Sequence, residues 1–268
     1  MSEAALGAAG RAAPPRPQVR IGELWIDALT FEQALDAIEA LVRAGRGGAV
    51  FTPNVDHIVN ARHDRALREA YSRTSLSLAD GQPVIWASRL LQTPLPEKIS
   101  GSDLGPRLLE RARARRLRVY LRGGGDGVAA LAAARLEKQG ILVVGAEGPR
   151  VGLEANAGEA QILERVRAAK PDLVFVGLGS PKQERFIDRS APALAPAVLL
   201  GVGATIDFLA GTVPRAPAWM SRSGLEWLYR LMREPRRLWR RYLLNDPAFA
   251  FIVWQMLRTP RTARLKPG

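Results

Sequence analysis

Cysteine is absent from the 268-residue sequence, which excludes disulfides and cysteine-ligated zinc and fits a reducing compartment. Histidine is nearly absent: His57 and His63 share a helix face poorly, no HExxH-type set exists, and a histidine-rich metal site is not expected. No D-x-D pair occurs, which removes a common way of holding Mg²⁺ or Mn²⁺ on a diphosphate. No stretch approaches the roughly 18 apolar residues of a membrane-spanning helix. The longest candidate, AFAFIVWQML at 248–257, is too short to cross, so a chain that is soluble or lies on a membrane is expected. The first twenty residues lack the continuous apolar run of a signal peptide and read as a disordered Ala/Pro/Arg leader, 1–20.

What is present is a large apolar fraction and an uneven positive charge. Hydrophobic residues make up 47% of the chain, enough for a sizeable core. The formal net charge is +13. Residues 215–268 hold twelve Lys/Arg against three acids, and four of the six tryptophans (Trp219, Trp227, Trp239, Trp254). A basic, Trp-rich tail suits an anionic lipid surface or a diphosphate. It also suits nucleic acid.

Residues 21–26 look like a first strand. Thr30 and Gln33 form a capping box, and Phe31, Ala34, Leu35, Ile38, Leu41 and Val42 follow helical spacing. Short strands are expected at 49–52 and 76–78, with helices over 55–72, 83–91 and 102–114. The rhythm repeats with strands at 118–121, 141–144, 172–176 and 197–202, and helices between them. Strands separated by helices of this length imply a parallel sheet covered on both faces, with binding residues at the carboxyl ends of strands. Beyond Pro214 the pattern is helical only. An α/β core at 21–213 and a basic helical appendage at 214–268 follow.

Gly125-Asp126-Gly127-Val128-Ala129-Ala130 matches G-x-G-x-x-A between a strand and a helix, with Glu147 near the end of the next strand. That is the layout of a dinucleotide fingerprint, as in an oxidoreductase. Its mid-chain position and Ala-rich helix favour a plain tight turn or a non-dinucleotide phosphate contact. Asp80 stands at a strand end in Ala-Asp-Gly, where a carboxylate can take a proton from a sugar hydroxyl; an Asp-Gly turn is the alternative. Thr52-Pro53-Asn54 ends the neighbouring strand, and Asn54 is also a natural helix cap. In Ser180-Pro181-Lys182-Gln183-Glu184, Gln183 can donate to a phosphate or sugar oxygen, while Ser180-Pro181 is a good helix start. Asp207 can accept from a uracil N–H or cap a helix. Arg230, Arg233, Arg237 and Arg240 recur at spacings that share one helix face if Pro235 does not break the helix, to meet a departing diphosphate or simply to face solvent.

Together these stretches resemble the WecG/TagA/CpsF glycosyltransferases. The resemblance rests on Thr52-Pro53-Asn54, the ADGQPVIWA segment at 79–87, LPEKISGSDL at 95–104 and VGLGSPKQE at 176–184. Gly201-Val202-Gly203 through Gly211, Arg215-Ala216-Pro217 and GLEW at 224–227 complete it. It implies an inverting, metal-independent transferase with a Rossmann-like core and a membrane-binding appendage. The donor is then a UDP-sugar and the acceptor a polyprenyl-diphosphate-linked saccharide for cell-surface polysaccharide, with neither cofactor nor nucleic acid. The place of work is the cytoplasmic face of the cell membrane. The resemblance makes Asp80 the general base, with Thr52 and Asn54 beside it. It places Lys98, Gln183 and Asp207 at substrate or nucleotide, and gives Arg230, Arg237 and Arg240 the diphosphate. Lys98 stands where many members carry Arg, keeping the charge and losing the bidentate fork.

Overall fold

The computed structural model describes residues 16–148, 157–214 and 246–267, together with 220, 229 and 232. Ten residues near the amino terminus alternate between buried and half-exposed around Gly22, whose positive φ lets the chain reverse. They form an antiparallel hairpin, β1 (Gln18–Ile21) and β2 (Leu24–Asp27). The single strand expected at 21–26 is therefore two strands, and β1 begins inside the segment assigned to the leader. The hairpin lies outside the main sheet but is fastened to its edge. The buried Asp27 carboxylate accepts from the Ser77 N–H at 2.7 Å.

Helix α1 (Phe31–Ala44) starts at the expected capping box, with Thr30 and Gln33 bonded reciprocally, and ends at Gly45 in the left-handed region. After β3 (Gly48–Phe51) the single helix expected over 55–72 is two, α2 (Val55–Asn60) and α3 (Arg65–Arg73). Asp64 makes the break: its side chain accepts from the Leu67 N–H and caps a new helix. The chain continues through β4 (Leu76–Ser77), α4 (Gln82–Leu90), α5 (Gly101–Arg115), β5 (Val119–Gly123), α6 (Val128–Lys138) and β6 (Val143–Glu147). It goes on through α7 (Ala157–Ala169), β7 (Leu173–Gly177), α8 (Lys182–Leu194), β8 (Val198–Gly201) and α9 (Thr205–Ala210). Strands β3 to β8 form one parallel sheet in the order β4-β3-β8-β7-β5-β6.

Side chains of the central strands alternate between two apolar cores, one on each face. In β7, Val174 and Val176 join one cluster while Leu173 and Phe175 join the other; β8 and β3 do the same. The second cluster is closed by α1, α5, α6 and α9. The first is closed by the hairpin, α2, α3, α4, α7, α8 and the tail helix α10 (Asp246–Leu257).

The tail differs from the helix-only expectation. Phe249, Ile252, Val253 and Met256 of α10 are buried in the first cluster, while Phe251, Trp254 and Leu257 face outward about half exposed. Beyond α10 a short strand, β9 (Leu265–Lys266), pairs with the open edge of β1, and Arg264 donates to the Leu91 carbonyl at 2.7 Å. Two residues carry no periodicity that a sequence reading could detect; the free β1 edge supplies the partner. Among the described residues no helix is long and apolar enough to cross a membrane.

Candidate active site

The carboxyl ends of the strands open on a cleft of about 680 Å³. A parallel sheet forces this placement, because every strand ends on the same side and every crossover must leave from there. Thr52 and Asn54 reach the cleft from the end of β3, and Asp80 from the turn after β4. Gln183 enters from the first turn of α8, and Asp207 from α9. The order of the sheet makes β3 a neighbour of both β4 and β8, so these five residues share one cavity.

Local bonds show how each is held. The Thr52 hydroxyl donates to the Gly201 carbonyl at 3.4 Å, across the β3–β8 junction. Asn54 caps α2 by accepting from the Asp56 N–H at 3.0 Å and also lines the cleft. The backbone N–H of Asp80 donates to the Pro53 carbonyl at 2.9 Å, which lays the Asp80 turn against the Thr52-Pro53-Asn54 turn. Gln183 is buried, and its carboxamide oxygen accepts from the Gly203 N–H at 2.8 Å.

Lys98 is not on the cleft lining. Its ammonium lies 3.6 Å from the Asp103 carboxylate, at the first turn of α5. Arg230, Arg237 and Arg240 lie outside the described residues. Among the described lining residues Lys182 is the one lysine or arginine, against the carboxylates of Asp56, Asp80 and Asp207.

Two residues escaped the sequence reading. His57, in the first turn of α2 and on the cleft lining, meets Glu184, beside Gln183 and buried behind it, at 3.3 Å. Burial alone would raise the Glu184 carboxyl, but the His57 charge and the hydrogen bonds from His57 and Gln183 more than offset it and hold it below the usual carboxylate range. The one signal in the sequence was the spacing of Asn54 and His57, three apart, which sets the two side chains together at the first turn of α2, with Asn54 Oδ1 2.8 Å from His57 Nδ1.

The glycines of the cleft have a structural duty first. A Cβ on Gly123 would collide with the Gly177 carbonyl, and one on Gly177 would lie 2.6 Å from the Gly203 carbonyl. The turns after β5, β7 and β8 thus pack backbone against backbone. Glu147, which the dinucleotide fingerprint would aim at a ribose, is taken up elsewhere. Its carboxylate accepts from Arg165 at 2.5 and 3.0 Å and from the Tyr120 hydroxyl at 2.8 Å.

A parallel sheet covered on both faces, with a cleft at its carboxyl edge, is the architecture shared by Rossmann-like transferases and dehydrogenases. Glu147, the acidic residue of the dinucleotide fingerprint, is engaged by Arg165 and Tyr120 and not turned to the cleft. Sequence comparison is more specific. The profile of the Glycosyl transferase WecG/TagA/CpsF family matches residues 19–263, and the chain belongs to that family. Two curated relatives bear the name N-acetylglucosaminyldiphosphoundecaprenol N-acetyl-beta-D-mannosaminyltransferase. The one from Bacillus subtilis (strain 168) is 33% identical over 227 residues, 82% of this chain and 84% of the relative. The one from Bacillus spizizenii (strain ATCC 23059 / NRRL B-14472 / W23) is 33% identical over 210 residues, 78% and 79% respectively. The protein is a glycosyltransferase of this family.

Proposed function

We propose that the protein transfers an N-acetylhexosamine of the N-acetylmannosamine type from its UDP-sugar to N-acetylglucosamine linked through diphosphate to a polyprenol. The observation that carries this is the meeting of Asp80 with Thr52, Asn54, Gln183 and Asp207 in one cleft of a family member. In the proposed step the Asp80 carboxylate takes the proton of the acceptor hydroxyl as its oxygen attacks the anomeric carbon. The bond from that carbon to the UDP oxygen breaks, the electron pair leaves with UDP, and attack from the opposite side inverts the anomeric centre. Thr52 and Asn54 orient the acceptor beside Asp80. Gln183 contacts donor oxygens and Asp207 the nucleotide base. With one basic side chain among the described lining residues, the departing diphosphate is assigned to Arg230, Arg237 and Arg240 of the tail.

The division at 214 and a peripheral position on the inner face of the membrane belong to the same proposal. Phe251, Trp254 and Leu257 present an outward apolar stripe, with the Arg258 guanidinium 3.8 Å above the Trp254 ring. Such a stripe beside a basic tail suits anionic headgroups without a spanning helix. UDP release is the test, with a panel of UDP-sugars offered to a short-chain polyprenyl-diphosphate-N-acetylglucosamine in EDTA. Release that requires both substrates supports the assignment. No release with any donor, or a strict need for Mg²⁺ or Mn²⁺, overturns it.

A further inference from the structure

At the cleft wall His57 meets the buried Glu184, a contact to which the proposed reaction gives no task. Asn54 fixes the chemistry of His57. Its Oδ1 is identified as an oxygen because it accepts from the Asp56 N–H at 3.0 Å, and that same oxygen lies 2.8 Å from His57 Nδ1. A bare ring nitrogen there would set lone pair against lone pair, so Nδ1 carries hydrogen. The Asn54 N–H also approaches Nδ1, but at 3.3 Å, the longer contact. On the other side, Nε2 lies 3.3 Å from Glu184 Oε1. That oxygen already accepts from the Gln183 amide at 2.8 Å, so it acts as an acceptor and Nε2 carries hydrogen too. Glu184 is fully buried, and its second oxygen has no hydrogen-bond partner among the described residues.

We propose that His57 and Glu184 form a positioning ion pair, an imidazolium on a buried carboxylate, that sets Asn54 and Gln183 together. The bonds run from the Gly203 N–H through Gln183, Glu184 and His57 to Asn54, and so from the end of β8 to the start of α2. The acceptor side and the donor side of the cleft are thereby fixed by one charge. The surroundings suit a positive ring. Asp56 and Asp80 line the same cleft, and the rings of His57 and Tyr71 of α3 lie 6.3 Å apart and nearly perpendicular. The Tyr71 hydroxyl is pushed well up by burial, then by the charges of Glu184 and Asp80, and stays neutral. Lys182 is exposed at the cleft rim, and Arg185, next to Glu184, pairs with Asp64.

The part of this proposal that concerns turnover rests on the transfer reaction above; the charge of His57 does not. The chain has two histidines and His63 is exposed, so the ring ¹⁵N signals of the full-length protein are assignable with a His63→Gln control. At pH 7.5 His57 is expected as an imidazolium in the wild type and as a neutral ring in Glu184→Gln. A neutral His57 in the wild type overturns the proposal, with no substrate involved. Kinetics supply the second arm. Glu184→Gln, with a melting temperature near wild type, should lose about 10- to 100-fold in kcat/KM, the scale of misplaced reacting groups, by lower kcat together with higher donor KM. His57→Gln should lose the alkaline limb of the pH profile. The double variant should lose no more than the worse single one. Full activity in folded Glu184→Gln, or losses that multiply in the double variant, also overturn it. Absence of transfer in the wild type would instead strike the functional assignment.

Discussion

The two halves of the sheet's carboxyl edge present different kinds of group. Around β3, β4 and the start of α8 the cleft is built from side chains: Thr52, Asn54, His57, Asp80 and Gln183. Around β5 and β7 it is built largely from backbone at Gly124, Gly125, Gly177 and Gly179. Each half has a glutamate held below the usual carboxylate range, Glu184 fully buried and Glu147 partly exposed. Glu147 is matched by an exposed, permanently charged arginine at the back of the glycine half; Glu184 is matched by a titratable histidine in the cleft wall. A change in the side-chain half should therefore cost turnover, and one in the glycine half should cost folding.

The largest effect is expected from Asp80→Asn. The replacement is isosteric, so the melting temperature should hold while turnover falls by roughly 10² or more. Near-full activity would remove Asp80 as the base and break the comparison at its centre.

The tail arginines come next. Truncation after Pro214 is a poor probe. It strips Phe249, Ile252, Val253 and Met256 from the core, at about 1.5–3 kcal/mol each, against a total stability of about 5–15 kcal/mol. Arg237→Glu and Arg240→Glu together avoid this. They should lower turnover with a lipid-free acceptor by about tenfold or more, the scale of losing donors to a developing charge, and lower vesicle flotation less. Unchanged UDP release would confine the tail to anchoring.

Gly123→Ala tests the other half. Its φ of +129° and the collision with the Gly177 carbonyl should cost about 1–3 kcal/mol in urea unfolding, with turnover per folded molecule much less affected. Lost turnover at unchanged stability would erase the distinction between the halves.

A smaller effect concerns acid. Both glutamates have a folded pKa below the unfolded value, so their stabilisation is complete above the ordinary carboxylate range, about 4.3, and fades as pH falls through the folded values. Glu147→Gln should flatten part of the fall in melting temperature between about pH 5 and 3, and leave transfer at neutral pH nearly unchanged. A neutral-pH turnover loss as large as that of Glu184→Gln would show the two carboxylates to be equivalent. The smallest effect on the soluble reaction is expected from Trp254→Ser with Phe251→Ser. Flotation on anionic vesicles should drop while fold and UDP release persist; unchanged flotation would remove the stripe from the membrane proposal.

Local signals were legible wherever a few adjacent residues decide the outcome. Thr30 and Gln33 announced the start of α1, and the alternation of strand and helix announced a sheet with two covered faces. Turn residues also marked the strand ends where Thr52, Asn54, Asp80 and Gln183 stand. Their neighbours were less legible. Lys98, two residues from the cap of α5, turns to Asp103 away from the cleft, and Asp64 divides what reads as one helix.

The sequence by itself determined the class of fold and the positions of the polar strand ends, because periodicity and capping act over a turn or two of chain. The tertiary structure alone decided which ends adjoin. The order β4-β3-β8-β7-β5-β6 is settled by pairings far apart in the chain, and it brings Asn54 to Gln183. It also decided that His57 meets Glu184, 127 positions away, and that one face of α10 belongs to the core while the other looks out. No local pattern records such contacts, since they arise only when burial of both sheet faces has fixed every helix in place.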